Sequence, residues 1–354
     1  MEIIFTKDPI QLRKWDDFVL QQNVAGHLLL SAWNQSFASY GFDYEIAIQL
    51  DGEKIIGGFA AVVAKVAFFK FYIVPFGPIT ASGETKALND LIAKVPDRAQ
   101  KLGCCYAHIS LPLSDVLNPH VYPVTSFPVL AMAKEGHLFK YVYSAYGINW
   151  KSVQGYETEE DFINSFRASV RRYIRSAQRK DLELRFLEDE KAVKQAYDLC
   201  LENAANNGYA LRSWSAFKTT LMTMIQNKQA HFMGAFYDNN IKGASLVIKA
   251  GNHYTYILGG TKKEKPDFLA GHYLHFEAMR LAMQEKLSGY NISLGGSKGV
   301  ISLKSSYADT QIYYDKGKYH WIIRPTHFKA YQIFEKHLKK HKNTIAKLLS
   351  FFKR

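Results

Sequence analysis

The chain has 354 residues, of which 47% are hydrophobic, and a formal net charge of +13. That is enough apolar material for about two domain-sized cores, and the charge favours anionic partners: phosphates, nucleic acid or a membrane surface. Three cysteines, Cys104, Cys105 and Cys200, make no disulfide framework and no metal-ligand spacing. The N-terminal MEIIFTKDPIQLRKW has no signal-type apolar run, and no stretch approaches the ~18 apolar residues of a membrane span, so a cytoplasmic protein of enzyme size is expected.

Residues 9–21 and 31–40 read as short helices. YEIAIQL (44–50), a turn at Asp51-Gly52, IIGGFAAVVAKV and FFKFYIVPF then form an antiparallel meander. A helix at 85–102 leads to a strand at 105–111. The second half repeats the order: helices at 189–206 and 214–227, a meander of AHFMGAFY, IKGASLVIKA and HYTYIL, a helix at 270–287, and a strand at 290–294. Residues echo as well. Lys101-Leu102, Tyr106 and Ile109-Ser110-Leu111 match Lys286-Leu287, Tyr290 and Ile292-Ser293-Leu294, at an offset of roughly 185, which argues for a tandem duplication. The expected domains are 1–148, 149–325 and a basic helical tail, 326–354.

Between the halves lies TEEDFINSFRASVRRYIRSAQRK (158–180), expected as one amphipathic helix. Thr158 caps it, and Glu159, Glu160 and Asp161 fill its first turn. Phe162, Phe166, Val170 and Ile174 recur every fourth residue as an apolar stripe, beside a column of Arg167, Arg171 and Arg175. The arginines offer themselves to an anion; a solvated basic face is the plain alternative.

In each half a strand–helix–strand crossover makes two strands parallel, so their C-terminal ends share one sheet edge. In the second half both ends carry one pattern: Gly259-Gly260-Thr261-Lys262 and Gly295-Gly296-Ser297-Lys298. Paired glycines let backbone amides approach an anion, a hydroxyl donates and a lysine adds charge, at the edge where α/β sheets bind ligands. The first half ends in VPFGPI and SLPLSD, which points to chemistry in the second half and docking in the first. Lys304, eight residues beyond the second pair, is placed to stabilise charge on a carbonyl oxygen, or else is a loop lysine at the surface. His272 and His275, three apart, share a helix face near Glu277, but HExxH is absent and no metal is expected. The tail has seven lysines and Arg354 against Glu335, with Ile345, Leu348, Leu349 and Phe352 on one face. It is expected to pack as far as about 340, with 341–354 open to an anionic membrane surface at the inner face or to a protein partner.

These residues resemble the FemABX family, non-ribosomal peptidyltransferases built from two GNAT-type acyltransferase domains. The resemblance rests on Ser31-Ala32-Trp33, Val74-Pro75-Phe76-Gly77-Pro78, the run from Arg171 to Ala177, Tyr256 to Gly260, and Leu294-Gly295-Gly296 followed by Leu303-Lys304. It implies an α/β (α+β) chain of two tandem GNAT-like domains, each a mixed sheet flanked by helices. It further implies that Arg171 or Arg172, with Arg175 nearby, meets the phosphates of a nucleotide- or lipid-linked cell-wall precursor. Lys304 acts in transfer, and Tyr256 or Tyr254 lines the site. The donor is aminoacyl-tRNA, the acceptor an amine of a peptidoglycan stem peptide, and no bound cofactor is needed. The chain departs from the family at Phe37, where a lysine is usual, and at Thr80-Ala81-Ser82, where an aspartate is usual. The expected function is therefore aminoacyl transfer. An N-acyltransferase using acyl-CoA is the alternative, and a non-enzymatic RNA- or membrane-binding protein is the reading from another class.

Overall fold

The computed structural model describes residues 2–81, 83–296 and 298–338. Two mixed sheets carry the architecture. The first is built from β1 (Glu2–Thr6), β2 (Asp43–Asp51), β3 (Lys54–Val66), β4 (Phe69–Val74) and β5 (Tyr106–Ser110), with α1 (Pro9–Leu20) and α2 (Thr85–Lys101) packed on it. The chain then enters the second sheet with β6 (Gly147–Ser152). After α3 (Glu159–Asn164) and α4 (Ala168–Gln178) come β7 (Glu183–Leu187), α5 (Glu190–Asn206) and α6 (Trp214–Gln226). The meander follows as β8 (Ala230–Tyr237), β9 (Asn240–Lys249) and β10 (His253–Thr261). Then come α7 (Ala270–Gln284), β11 (Gly289–Asn291), α8 (Lys298–Tyr307), β12 (Thr310–Tyr313), β13 (Lys318–Ile322) and α9 (Pro325–Ile333).

The alternating apolar runs made the meanders antiparallel, and both crossovers behave as chirality requires: β4 pairs parallel with β5 across α2, and β10 pairs parallel with β11 across α7. Each sheet then receives an antiparallel neighbour beside its parallel pair. In the second sheet this is β6, against β11; in the first it is β13, against β5. The span 149–325 had placed residues 318–322 in the second domain. Instead β13 returns to the first sheet, with Tyr319 opposite Ile109 and Trp321 opposite Ala107. The reason lies in its partner: β5 is buried along its whole length and needs a strand on both edges. α9 follows and packs there too, Phe328 lying 5.0 Å from the ring of Tyr106. The tail expected to meet a membrane, 341–354, lies outside the described residues.

The basic helix also differs from expectation. It breaks at Ser165–Arg167 into α3 and α4. Ser165 Oγ donates to Phe162 O at 2.7 Å and receives Lys151 Nζ at 2.8 Å, while Arg167 turns extended. The apolar stripe survives the break: Phe162, Phe166, Val170 and Ile174 are all buried, in one cluster with Leu274 and Phe276 of α7. A single larger core runs through both halves, from Trp15 and Ile46 to Leu221 and Leu246. No helix among the described residues is long and apolar enough to cross a membrane.

Candidate active site

The site begins where two parallel strands part. β10 and β11 pair over only three positions, ending at Thr255 opposite Asn291. Beyond that, Ile292 N turns away to bond Asn149 O of β6 at 2.9 Å. On the other side β10 carries a bulge: Leu258 faces Leu246, Tyr256 faces Val247, and Ile257 is the extra residue. A bulge bends its strand and increases the local twist, so the strands diverge into a fork. The first half has no such opening. There β4 and β5 stay paired over four positions, and Gly77 N closes the end on Ser110 O at 2.9 Å.

A cavity of about 710 Å³ fills the fork and reaches across to the first half. Thr255, Tyr256, Asn291, Ser293 and Lys304 line one side; Gly26, His27, Trp33 and Phe76 line the other. Among the described lining residues Lys304 is the one side chain that is cationic at neutral pH, and none is a carboxylate.

Lys304 sits on α8 and is 7% exposed. Its Nζ donates to Ser293 Oγ at 2.7 Å and to Gly295 O at 2.6 Å, and lies 5.1 Å from the centroid of the Tyr256 ring. An ammonium has three donors, so one remains for the cavity. Burial disfavours the charged form and pushes its pKa down to about 8. Ser293 is itself held in place. Its φ is +62, left-handed backbone that a non-glycine residue adopts only when its surroundings require it. Its N–H donates to Asn291 Oδ1 at 2.9 Å, and its carbonyl receives Asn149 Nδ2 at 3.0 Å. Gln311 Nε2 bridges Asn149 Oδ1 and Ser305 Oγ, at 2.9 and 2.8 Å. Three elements therefore fix one lysine.

The far wall is aromatic. His27 packs edge-on to Trp33 at 4.5 Å. Burial, and then the nearby Arg212 guanidinium, push its pKa down to about 3, so it stays neutral. Arg212 bonds Ser36 Oγ and Tyr40 OH and lies over the rings of Trp33, Phe37, Tyr40 and Phe217.

Of the residues expected from sequence, Lys304, Tyr256, Gly295 and Gly296 come together at the cavity. Others do not. Tyr254 shares a face of β10 with Tyr256 but lies outside the cavity, its hydroxyl donating to Glu285 Oε1 at 2.6 Å. Gly259 and Gly260 form no loop but lie within β10, paired with Ser245 and Ala244. A Cβ on Gly260 would sit 2.7 Å from Leu199 O, so the glycine is there to admit α5. Ser297 lies outside the described residues, and Lys298 opens α8.

Neither Arg171, Arg172 nor Arg175 lines the cavity. Arg171 Nη1 bonds the carbonyls of Asn164 and Phe166, at 3.2 and 2.7 Å; Arg175 pairs with Glu160; Arg172 lies over its neighbour Tyr173. The apolar stripe commits the inner face of α4 to the core, which turns the arginines outward. Arg212 is the arginine that borders the cavity wall, and it stood in no recognisable motif. The helix-face histidines go to tyrosine hydroxyls, His272 to Tyr307 and His275 to Tyr290.

Comparison with known proteins agrees with this geometry. Residues 164–298 match the family described as an acetyltransferase (GNAT) domain. Among curated proteins the sequence finds no match. Among solved structures, FemX is similar over 93% of this chain and 99% of its own, with a TM-score of 0.76 and 14% identity. A tandem GNAT protein from the clavulanic acid biosynthesis pathway covers 91% and 99%, at 0.50 and 12%. The C-terminal domain of a putative lysylphosphatidylglycerol synthetase from Agrobacterium fabrum covers 88% and 90%, at 0.52 and 9%. With a GNAT acetyltransferase domain in its second half and the architecture of FemX throughout, the chain is an acyltransferase with the FemABX-type tandem GNAT fold.

Proposed function

We propose that the protein moves an aminoacyl group from aminoacyl-tRNA to an amine of a peptidoglycan precursor, with Lys304 as the catalytic residue. The observation that carries this is one ammonium with a single donor left over at the fork of the second half, in a cavity whose opposite wall is the first half. An activated acyl group entering the fork presents its carbonyl to Lys304, and an acceptor amine enters from the side of His27 and Trp33. As the amine attacks, the carbonyl oxygen gains charge, and the remaining Nζ–H stabilises it. The intermediate then collapses, breaking the ester bond to the ribose. The attacking nitrogen sheds a proton and the ribose oxygen takes one up. An ammonium with a pKa near 8 can give the second and recover the first.

One feature favours tRNA over a smaller donor: a polynucleotide finds cations outside the cavity. Arg172 of α4 and Arg179 just past its end are exposed, as are Lys262, Lys263 and Lys265 in the loop before α7, and Tyr173 stacks on His272 at 4.4 Å where α4 and α7 meet. Contact between these cations and the phosphate backbone belongs to the same proposal; the precursor phosphates expected at Arg171, Arg172 and Arg175 are a different group, and none of these arginines lines the cavity.

The test compares donors. Purified protein is given radiolabelled alanyl-tRNA or labelled acetyl-CoA, with a nucleotide-linked muramyl pentapeptide as acceptor. Transfer from the tRNA, falling steeply as salt rises, is expected; transfer from acetyl-CoA alone would overturn the reading.

A further inference from the structure

The floor of the fork holds a polar atom that the mechanism above does not use. Thr255 is 3% exposed, lines the cavity, and its Oγ1 has no hydrogen-bond partner among the described residues. It shares a strand face with His253, whose ring lies 5.4 Å from those of His120 and Trp150, so that face looks toward the first half. Asn291, 7% exposed, is its partner in the last pair before the strands part, and also lines the cavity. From there the path to the lysine is continuous: Asn291 Oδ1 receives Ser293 N, and Ser293 Oγ receives Lys304 Nζ. Thr255, Asn291 and Lys304 thus line one cavity, the cavity that must hold both a carbonyl at the lysine and the group attached to that carbonyl.

A buried hydroxyl without a partner costs free energy that a bound group can recover. The chemistry of the walls limits what that group is. No carboxylate lines the cavity among the described residues, so nothing there balances an ammonium. A neutral amine fits, since it accepts from a hydroxyl and donates to an amide oxygen. The methyl of an acetyl group or the chain of a longer acyl group would leave Thr255 unpaired.

We propose that Thr255, beside Asn291 at the floor of the fork, binds the α-amino group of the transferred unit as the neutral amine and so selects an aminoacyl over a plain acyl donor. This rests on the aminoacyl-transfer reading and adds a specificity-determining residue to it. A site built to hydrogen-bond one group rejects the analogue lacking it far more strongly than an apolar pocket rejects a size change.

Binding of two stable analogues tests it: a CCA trinucleotide ending in 3′-amino-3′-deoxyadenosine, acylated on that nitrogen with alanine or with propionate. The wild type is expected to bind the alanyl form at least about tenfold more tightly. Thr255→Val should bring the ratio close to one by weakening the alanyl form alone, and Thr255→Ser, which keeps the hydroxyl, should preserve it. Equal binding of both analogues by the wild type, or an unchanged ratio in a folded Thr255→Val, overturns the proposal and leaves tRNA-dependent transfer standing. If neither analogue binds while acetyl-CoA does, the aminoacyl-transfer reading falls and the proposal falls with it.

Discussion

Lys304 carries charge where the fold makes charge costly. Burial lowers its pKa toward about 8, and Ser293 Oγ and Gly295 O offset part of that cost. The ammonium is the form below that pKa, and raising the pH through it removes the proton. A role in stabilising an oxyanion therefore predicts a kcat that falls with pH through a limb near 8. Ser293→Ala deletes an acceptor that favours the charged form, so the limb should move to lower pH and kcat should drop roughly tenfold, the scale of a hydrogen bond to a charged group. A pH–rate profile of single-turnover transfer decides; a limb that stays in place would assign Ser293 no part in holding the ammonium. Stability runs with the opposite sign. The folded pKa lies below the unfolded one, so the buried charge destabilises most below about 8 and is relieved between about 8 and 10.5. Lys304 itself was singled out by the family resemblance, since its distance to the second glycine pair suited a surface loop lysine better. Its partner Ser293, the orphaned Thr255 and the bordering Arg212 were not, because each owes its role to neighbours brought in by β6, β11 and the Ser36–Tyr40 turn rather than to any local pattern.

At the level of elements, two identical-looking glycine pairs do different work. Gly295-Gly296 is an exposed loop at the cavity, whereas Gly259-Gly260 lies inside β10 under α5. A Cβ on Gly260 would meet Leu199 O at 2.7 Å and Cys200 Cα at 3.0 Å; one on Gly295 would find Tyr146 OH at 3.6 Å, an ordinary contact. Gly260→Ala should thus destabilise by about 1–3 kcal/mol through forced backbone displacement, and Gly295→Ala should leave the midpoint of urea unfolding nearly unchanged. Equal midpoints for the two would contradict this assignment. Sequence alone could not separate the pairs, since a glycine admitting a ligand and a glycine admitting a helix leave the same letter. The arginine helix shows a related limit. Its apolar period fixed which face is buried, but the opposite face was defined only as outward, and outward here is away from the fork. By contrast, the meanders and crossovers were fully legible, because alternation and strand–helix–strand order fix pairing direction by geometry.

The whole molecule is closed by a returning strand. β6 opens the second half beside β11, and β13, reached after the second sheet, comes back to pair with β5 of the first. The interface adds polar contacts, one buried, in which Gln229 Nε2 donates to Asp16 Oδ2 at 3.0 Å, and one half-buried, from Asn252 N to Gln22 O at 3.2 Å. With one core running through both halves, calorimetry should show a single cooperative transition; two resolved transitions would mean the halves are energetically independent. That shared frame explains why a duplicated plan has one active fork: the first copy closes its strand end on Ser110 and supplies a wall, and the second opens and supplies the lysine. The return of β13 escaped the sequence reading because a strand's partner across some two hundred residues leaves no periodic trace.

The most direct test of the account is single-turnover transfer from radiolabelled alanyl-tRNA to the muramyl pentapeptide by wild type and Lys304→Met. The methionine keeps the unbranched stem as far as Cε and removes a buried charge, so the variant should fold at least as stably as the wild type at pH 7. Its transfer rate should fall about 10²–10³-fold, the cost of losing one oxyanion donor. A folded Lys304→Met that transfers at the wild-type rate would contradict the account at its centre.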